Sequence, residues 1–200
     1  RLDLDDKTRP FFILSAVLFT SAVSGQAVVN PAIKNTLDAF IDYSNKQDWD
    51  KAFDMLYPKL FTKVSKQELV DLMGGQGSEG INLQMKNTRI TSTSVPVEEG
   101  NETFVRVEYE SDMEVNIVAG GDYDAPKAIQ AMDEQFKATY GKNNVKWNEG
   151  TKQYQIKANK AMMFINTGSD VWKLVEINMD QPQLMESLFS PSIMDALVRL

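Results

Sequence analysis

Two absences bound the chemistry open to this chain: it contains no histidine and no cysteine. Ser-His-Asp and Cys-His catalysis are excluded in their usual forms, and so are zinc sites built on His and Cys. No catalytic residue, metal ligand or cofactor site stands out among the remaining residue types. The side chains best suited to hold a small molecule are Tyr109, Met113, Tyr154 and Phe164, a stripe of rings and a thioether. Flexible thioethers suit apolar pockets of loose specificity. The competing reading is that the ten methionines fill gaps in the core, and that Tyr109 is a core tyrosine whose hydroxyl reaches the rim.

The carboxylates read as outward-facing. Glu108, Glu110 and Glu114 share one face of a strand with Arg106 and Asp112, a pattern expected of a solvated surface. Asp38 and Asp42 fall on the wet side of the first helix. Gly120-Gly121-Asp122-Tyr123-Asp124 lacks the spaced oxygen ligands and distant Glu of a calcium loop. It reads as a turn followed by a helix cap. Asn101-Glu102-Thr103 is a glycosylation triplet that would matter only in a eukaryotic secretory route.

The run from Phe11 to Val23 is apolar, follows Lys7 and Arg9, and precedes Ser24-Gly25-Gln26-Ala27. That is the pattern of a secretory signal peptide, and the run is shorter than the roughly 20 apolar residues of a spanning helix. Cleavage after Gly25 is preferred, with cleavage after Ala27 as the alternative. Residues 1–25 therefore read as a leader, in which Asp3, Asp5 and Asp6 mark an atypical upstream extension. Residues 26–200 read as a single α+β domain with no membrane span. A net charge of −7 with no basic cluster argues against nucleic acid and anionic lipid. An exported chain without cysteine gains no disulfides and must rest on its core. That suits a bacterial envelope protein, periplasmic or extracellular.

Helical periodicity comes first along the chain. Ile33, Leu37, Phe40 and Ile41 give a helix over about 32–46. Trp49, Ala52, Phe53, Leu56 and Tyr57 give a second, with Asp48 as its cap and Pro58 as its stop. Ser65 and Glu68 form a capping box for a third, with Leu69, Leu72 and Met73 buried and Gly74-Gly75 as its exit. From Ile81 the period becomes two. The clearest strand runs from Thr103 to Val118, with Val105, Val107, Tyr109, Ser111, Met113, Val115 and Ile117 on its buried face. Turns at Gly100, Gly150 and Gly168 imply further antiparallel strands over about 81–95, 153–166 and 171–179. A helix over 124–140, capped by Asp124 and released by Gly141, interrupts them. A helical tail carries Leu184, Met185, Leu188, Phe189, Ile193, Met194, Leu197 and Leu200.

Helices followed by long antiparallel strands, with Asp48-Trp49-Asp50-Lys51-Ala52-Phe53 early and Val171-Trp172-Lys173-Leu174-Val175-Glu176-Ile177 in the last strand, resemble the nuclear-transport-factor-like and ketosteroid-isomerase-like cone superfamily. The resemblance covers about 32–179 and is one of order and pattern. It implies a helix packed in the concave face of a strongly bent sheet. The helix over 124–140 departs from that outline as an insertion, and the tail as an addition that would lid or fill a pocket if it crossed the cone mouth. Isomerase-type members work with a carboxylate base and a tyrosine donor in an apolar cone, which needs an inward Asp or Glu with a raised pKa. The clearest strand offers none.

The sequence thus predicts an α+β fold: N-terminal helices on a strongly bent antiparallel sheet, an inserted helix and a C-terminal helical tail. The leading function is non-enzymatic binding of a small apolar or amphipathic ligand, or of a protein partner. The alternatives are an Asp/Tyr-based isomerase or dehydratase, and a structural envelope module that forms a homodimer through its sheet. An inward carboxylate with a raised pKa would favour the enzyme.

Overall fold

The computed structural model describes residues 29–69, 80–168, 171–179 and 181–198. The expected leader lies outside the described residues, as do Leu72, Met73, Gly74, Gly75 and Leu200. Asn30 opens helix α1, Pro31–Asn45. Its Oδ1 accepts from the Ala32 amide at 2.9 Å, while Pro31 sits in the first turn, where its missing N–H is no loss. Ile33, Leu37 and Ile41 form the buried stripe. Asp38 and Asp42 turn outward to Lys34 and Lys46.

Helix α2, Trp49–Asp54, stops short of the Tyr57 that periodicity predicts. The cause is a long-range pairing. Tyr57 N–H donates to Leu174 O at 2.9 Å, and Leu174 N–H donates to Met55 O at 3.0 Å. Asp48 precedes the helix without capping it, because its carboxylate turns to Lys51 instead. The expected capping box forms in both directions. The Glu68 amide donates to Ser65 Oγ at 3.1 Å, and the Ser65 amide donates to Glu68 Oε2 at 2.8 Å.

Six strands follow among the described residues: β1 (Ile81–Thr93), β2 (Val97–Glu99), β3 (Glu102–Ile117), β4 (Val145–Asn148), β5 (Gln153–Asn166) and β6 (Trp172–Glu176). All pair antiparallel in the open order β1-β3-β5-β4, with β2 also on β3 and β6 also on β5. The two long central strands run in unbroken register from Thr103 opposite Asn166 to Asn116 opposite Gln153. Register shifts after Lys86 and Ile90 bend the outer strand β1. Helix α3, Pro126–Tyr140, lies between β3 and β4 in sequence and buries Met132, Phe136 and Tyr140. Asp124 is not its cap. It lies in the preceding turn, accepts from the Gly120 amide and pairs with Lys152, leaving Ala125 at the cap position. Gly141, at φ 87°, makes the exit that a side chain would strain.

Alternation along β3 and β5 sorts the core into two layers. Val105, Val107, Tyr109, Met113, Tyr154, Ile156 and Phe164 pack against α1 and α3. Phe104, Met163, Ile165 and Val175 face the other way, where they meet Met185, Leu188, Phe189, Ile193, Met194 and Leu197 of the tail. The tail comprises Pro182–Leu188, Pro191–Ile193 and a wider turn over Met194–Val198. It therefore covers the face opposite α1. This corrects one expectation about β3: Arg106 is buried beneath the tail rather than wet, and its Nη1 donates to Leu197 O at 3.0 Å. Among the described residues, no helix is long and apolar enough to cross a membrane.

Candidate functional site

The α1 face of the sheet carries polar groups that β3 alone does not reveal. On β5, the residues alternating toward α1 are Tyr154, Ile156, Ala158, Lys160, Met162 and Phe164. On β6 they are Trp172, Leu174 and Glu176. A lysine and a glutamate thus interrupt two otherwise apolar rows. Tyr109 lies directly opposite Lys160 across the β3–β5 ladder. Glu176 lies opposite Met162 across the β5–β6 ladder, one diagonal step from Lys160. Tyr140, in the last turn of α3, brings a second hydroxyl to the same face.

Lys160 Nζ stands 3.9 Å from Glu176 Oε1, too far for a hydrogen bond. Only 1% of the Lys160 side chain is exposed, against 25% for Glu176. The cluster therefore meets solvent at the carboxylate and hides the amine. Among the described residues, Lys160 Nζ, Tyr109 OH and Tyr140 OH have no hydrogen-bond partner. Buried polar atoms are nearly always paired, and an orphaned one costs about 1–3 kcal/mol. Three on one face of the sheet call for a specific explanation.

Burial dominates the electrostatics here. It pushes the Lys160 ammonium below its usual range, an effect partly offset by the Glu176 charge. It pushes the Glu176 carboxyl up, partly offset by Lys160. Both tyrosine hydroxyls are driven well above the usual tyrosine value, by burial first and then by the Glu176 charge. They remain donors at any physiological pH. The site thus offers two hydroxyl donors, an amine and a carboxyl group against apolar walls.

Tyr109, Met113, Tyr154 and Phe164 share this face and one apolar cluster. Each is at most 1% exposed. Tyr109 is the member that reaches the polar cluster. Tyr154 packs its ring at a tilt against Trp147, centroids 4.4 Å apart, donates its hydroxyl to Ile129 O at 2.8 Å, and borders a groove of about 420 Å³ between α3 and β4. Charged groups along that groove already pair with one another: Asp133 with Lys137, and both Asp124 and Glu149 with Lys152.

The sequence reading missed Lys160, Glu176 and Tyr140. For the first two the signal was present. Period-two spacing from Tyr154 to Phe164 places Lys160 inward, and spacing from Trp172 places Glu176 inward. Neither a comparison with protein-family models nor one with curated proteins returns a match for this chain.

Proposed function

We propose that this chain binds a small amphipathic molecule on the α1 face of its sheet. The acceptor oxygen of the ligand, a carbonyl or carboxylate, would meet Tyr109 OH, Tyr140 OH and Lys160 Nζ. One observation carries the reading: these three buried donors lie on one face, each within electrostatic reach of Glu176, without hydrogen-bond partners among the described residues. A bound acceptor would satisfy them and recover the free energy their burial costs. The apolar part of the ligand would lie against the methionine and aromatic side chains of the same face. The cone resemblance belongs to the same proposal, since it assigns the pocket to the face on which the helix packs. Export guided by residues 11–23 would place this binding outside the cytoplasm.

Native mass spectrometry of the protein purified from its own source tests the reading. Added mass that disappears on denaturation supports it, provided that Tyr109→Phe and Lys160→Met carry less. Bare wild-type protein sinks it and leaves the structural module, for which the subunit count in the same spectrum is the readout.

A second reading is favoured by Glu176. An inward carboxyl with a raised pKa beside tyrosine donors is the arrangement that proton transfer next to a carbonyl requires. Here Glu176 would remove the proton and Tyr109 and Tyr140 would hold the enolate oxygen. Deuterium exchange at the α-carbon of a bound ketone, followed by NMR, distinguishes this reading from simple binding. Exchange abolished by Glu176→Gln supports catalysis, and a bound ketone without exchange refutes it.

A further inference from the structure

We propose that Lys160 is a nucleophilic amine that condenses with an aldehyde or ketone to form an imine, with Glu176 moving the protons and the Tyr109 and Tyr140 hydroxyls holding the carbonyl oxygen. This rests on the reading of the cluster as a ligand site and names the ligand class.

Lys160 differs from a structural buried lysine in its partners. An ammonium has three protons to donate, and a buried lysine kept for stability spends them on carboxylates or carbonyls. Lys160 Nζ makes no hydrogen bond among the described residues, and its one charged neighbour stands off at 3.9 Å. An amine held this way is more easily neutral than paired, and only the neutral amine has a lone pair for attack. Its burial acts in the same direction. Among the described residues, the titratable groups around it are Glu176 from β6, Tyr109 directly opposite on β3, and Tyr140 from α3, which acts on Glu176 and Tyr109. Glu176 is the partly exposed member of the pair and Lys160 the enclosed one, 3.9 Å behind it.

The balance closes without any other reagent. Transfer of one proton from the Lys160 ammonium to the Glu176 carboxylate leaves a neutral amine and a carboxylic acid. The amine lone pair forms a bond to the carbonyl carbon, and the C=O π pair moves to oxygen. That oxygen takes a proton from Glu176, and the nitrogen returns one to it, giving the carbinolamine. Glu176 then protonates the hydroxyl, the C–O bond breaks, and water leaves as nitrogen forms the C=N bond. The products are water, a protonated imine and the Glu176 carboxylate, the same pair of charges as at the start.

The test uses the full chain near neutral pH, equilibrated with benzaldehyde and then treated with borohydride, which converts an imine to a stable secondary amine. The exposed lysines of the same chain serve as the internal comparison. The expected result is one benzyl group per chain, located on Lys160 by peptide mapping. Trapping at that position should fall about a hundredfold in rate in Glu176→Gln, checked by circular dichroism for native fold. Benzyl groups spread over exposed lysines with Lys160 unmodified would overturn the proposal, and this readout needs no variant. Native mass spectra of the same mixture separate the two levels. Benzaldehyde retained without covalent trapping refutes the imine and leaves the ligand site standing. Neither retention nor trapping refutes both.

Discussion

Removing the same hydroxyl from two equally buried tyrosines of this sheet should change stability in opposite directions. Tyr109 is 1% exposed and Tyr154 is 0% exposed, both on the α1 face of adjacent strands. Tyr109 OH has no partner among the described residues, whereas Tyr154 OH donates to Ile129 O at 2.8 Å. In Tyr109→Phe a desolvated hydroxyl that gains nothing is removed. Its cost of about 1–3 kcal/mol, less the dispersion attraction forfeited around the vacated oxygen, leaves a stabilisation of about 1 kcal/mol. In a chain of this size that is a rise of about 2–4 °C in Tm. In Tyr154→Phe a made bond is lost, with a destabilisation of about 1 kcal/mol and a fall of similar size. Urea denaturation followed by tryptophan fluorescence, with calorimetry on the same samples, reads both. Tyr109→Phe should also weaken ligand retention in the native mass spectrum, so that gain in stability and loss of binding travel together. A Tyr109→Phe protein destabilised as much as Tyr154→Phe would refute the reasoning, because the hydroxyl would then be satisfied, for instance by an ordered water.

Three other outcomes follow from the same structure. Burial lowers the folded pKa of Lys160 below 10.5 and raises that of Glu176 above 4.5. The Lys160 contribution to stability is therefore present above 10.5 and lost as pH falls through its folded value, while that of Glu176 is present below 4.5 and lost as pH rises through its folded value. The double variant Lys160→Met/Glu176→Gln should accordingly gain most over wild type near neutrality and less toward either extreme; a pH-independent difference in urea midpoints would contradict this. Arg106→Met removes the bond to Leu197 O at 3.0 Å and leaves that carbonyl buried, at a cost of about 1–3 kcal/mol. Hydrogen exchange should rise over 182–198 while α1 keeps its protection, and a uniform rise would contradict the tail-anchoring role. Asn45 takes the place of a neighbouring strand on β1, with Nδ2 donating to Met85 O at 2.7 Å and Oδ1 accepting from Met85 N–H at 2.8 Å. Asn45→Ala should cost about 2 kcal/mol and promote edge-to-edge association in sedimentation runs; a variant as stable and as monodisperse as wild type would count against that role.

The local elements can be read from the order of residues alone, because their causes are local. The cap at Asn30, the box at Ser65 and Glu68 and the exit at Gly141 act within a few residues of themselves. The period of two along β3 and β5 depends only on the pleat, and it carried the α+β assignment and the inward side of each strand. It also contained Lys160 and Glu176 as inward positions, although their chemistry depends on meeting across the β5–β6 ladder. What covers a face is a different kind of information. Alternation marks Arg106 and Glu108 alike as facing away from α1, yet the tail buries Arg106 almost completely and leaves Glu108 partly exposed. Helix α2 likewise has an apolar stripe to Tyr57, and only the backbone of Leu174 ends it earlier. The site belongs to this second kind. Tyr109, Tyr140, Lys160 and Glu176 come from β3, α3, β5 and β6, so neither their convergence nor the absence of partners for their buried donors exists until those elements pack.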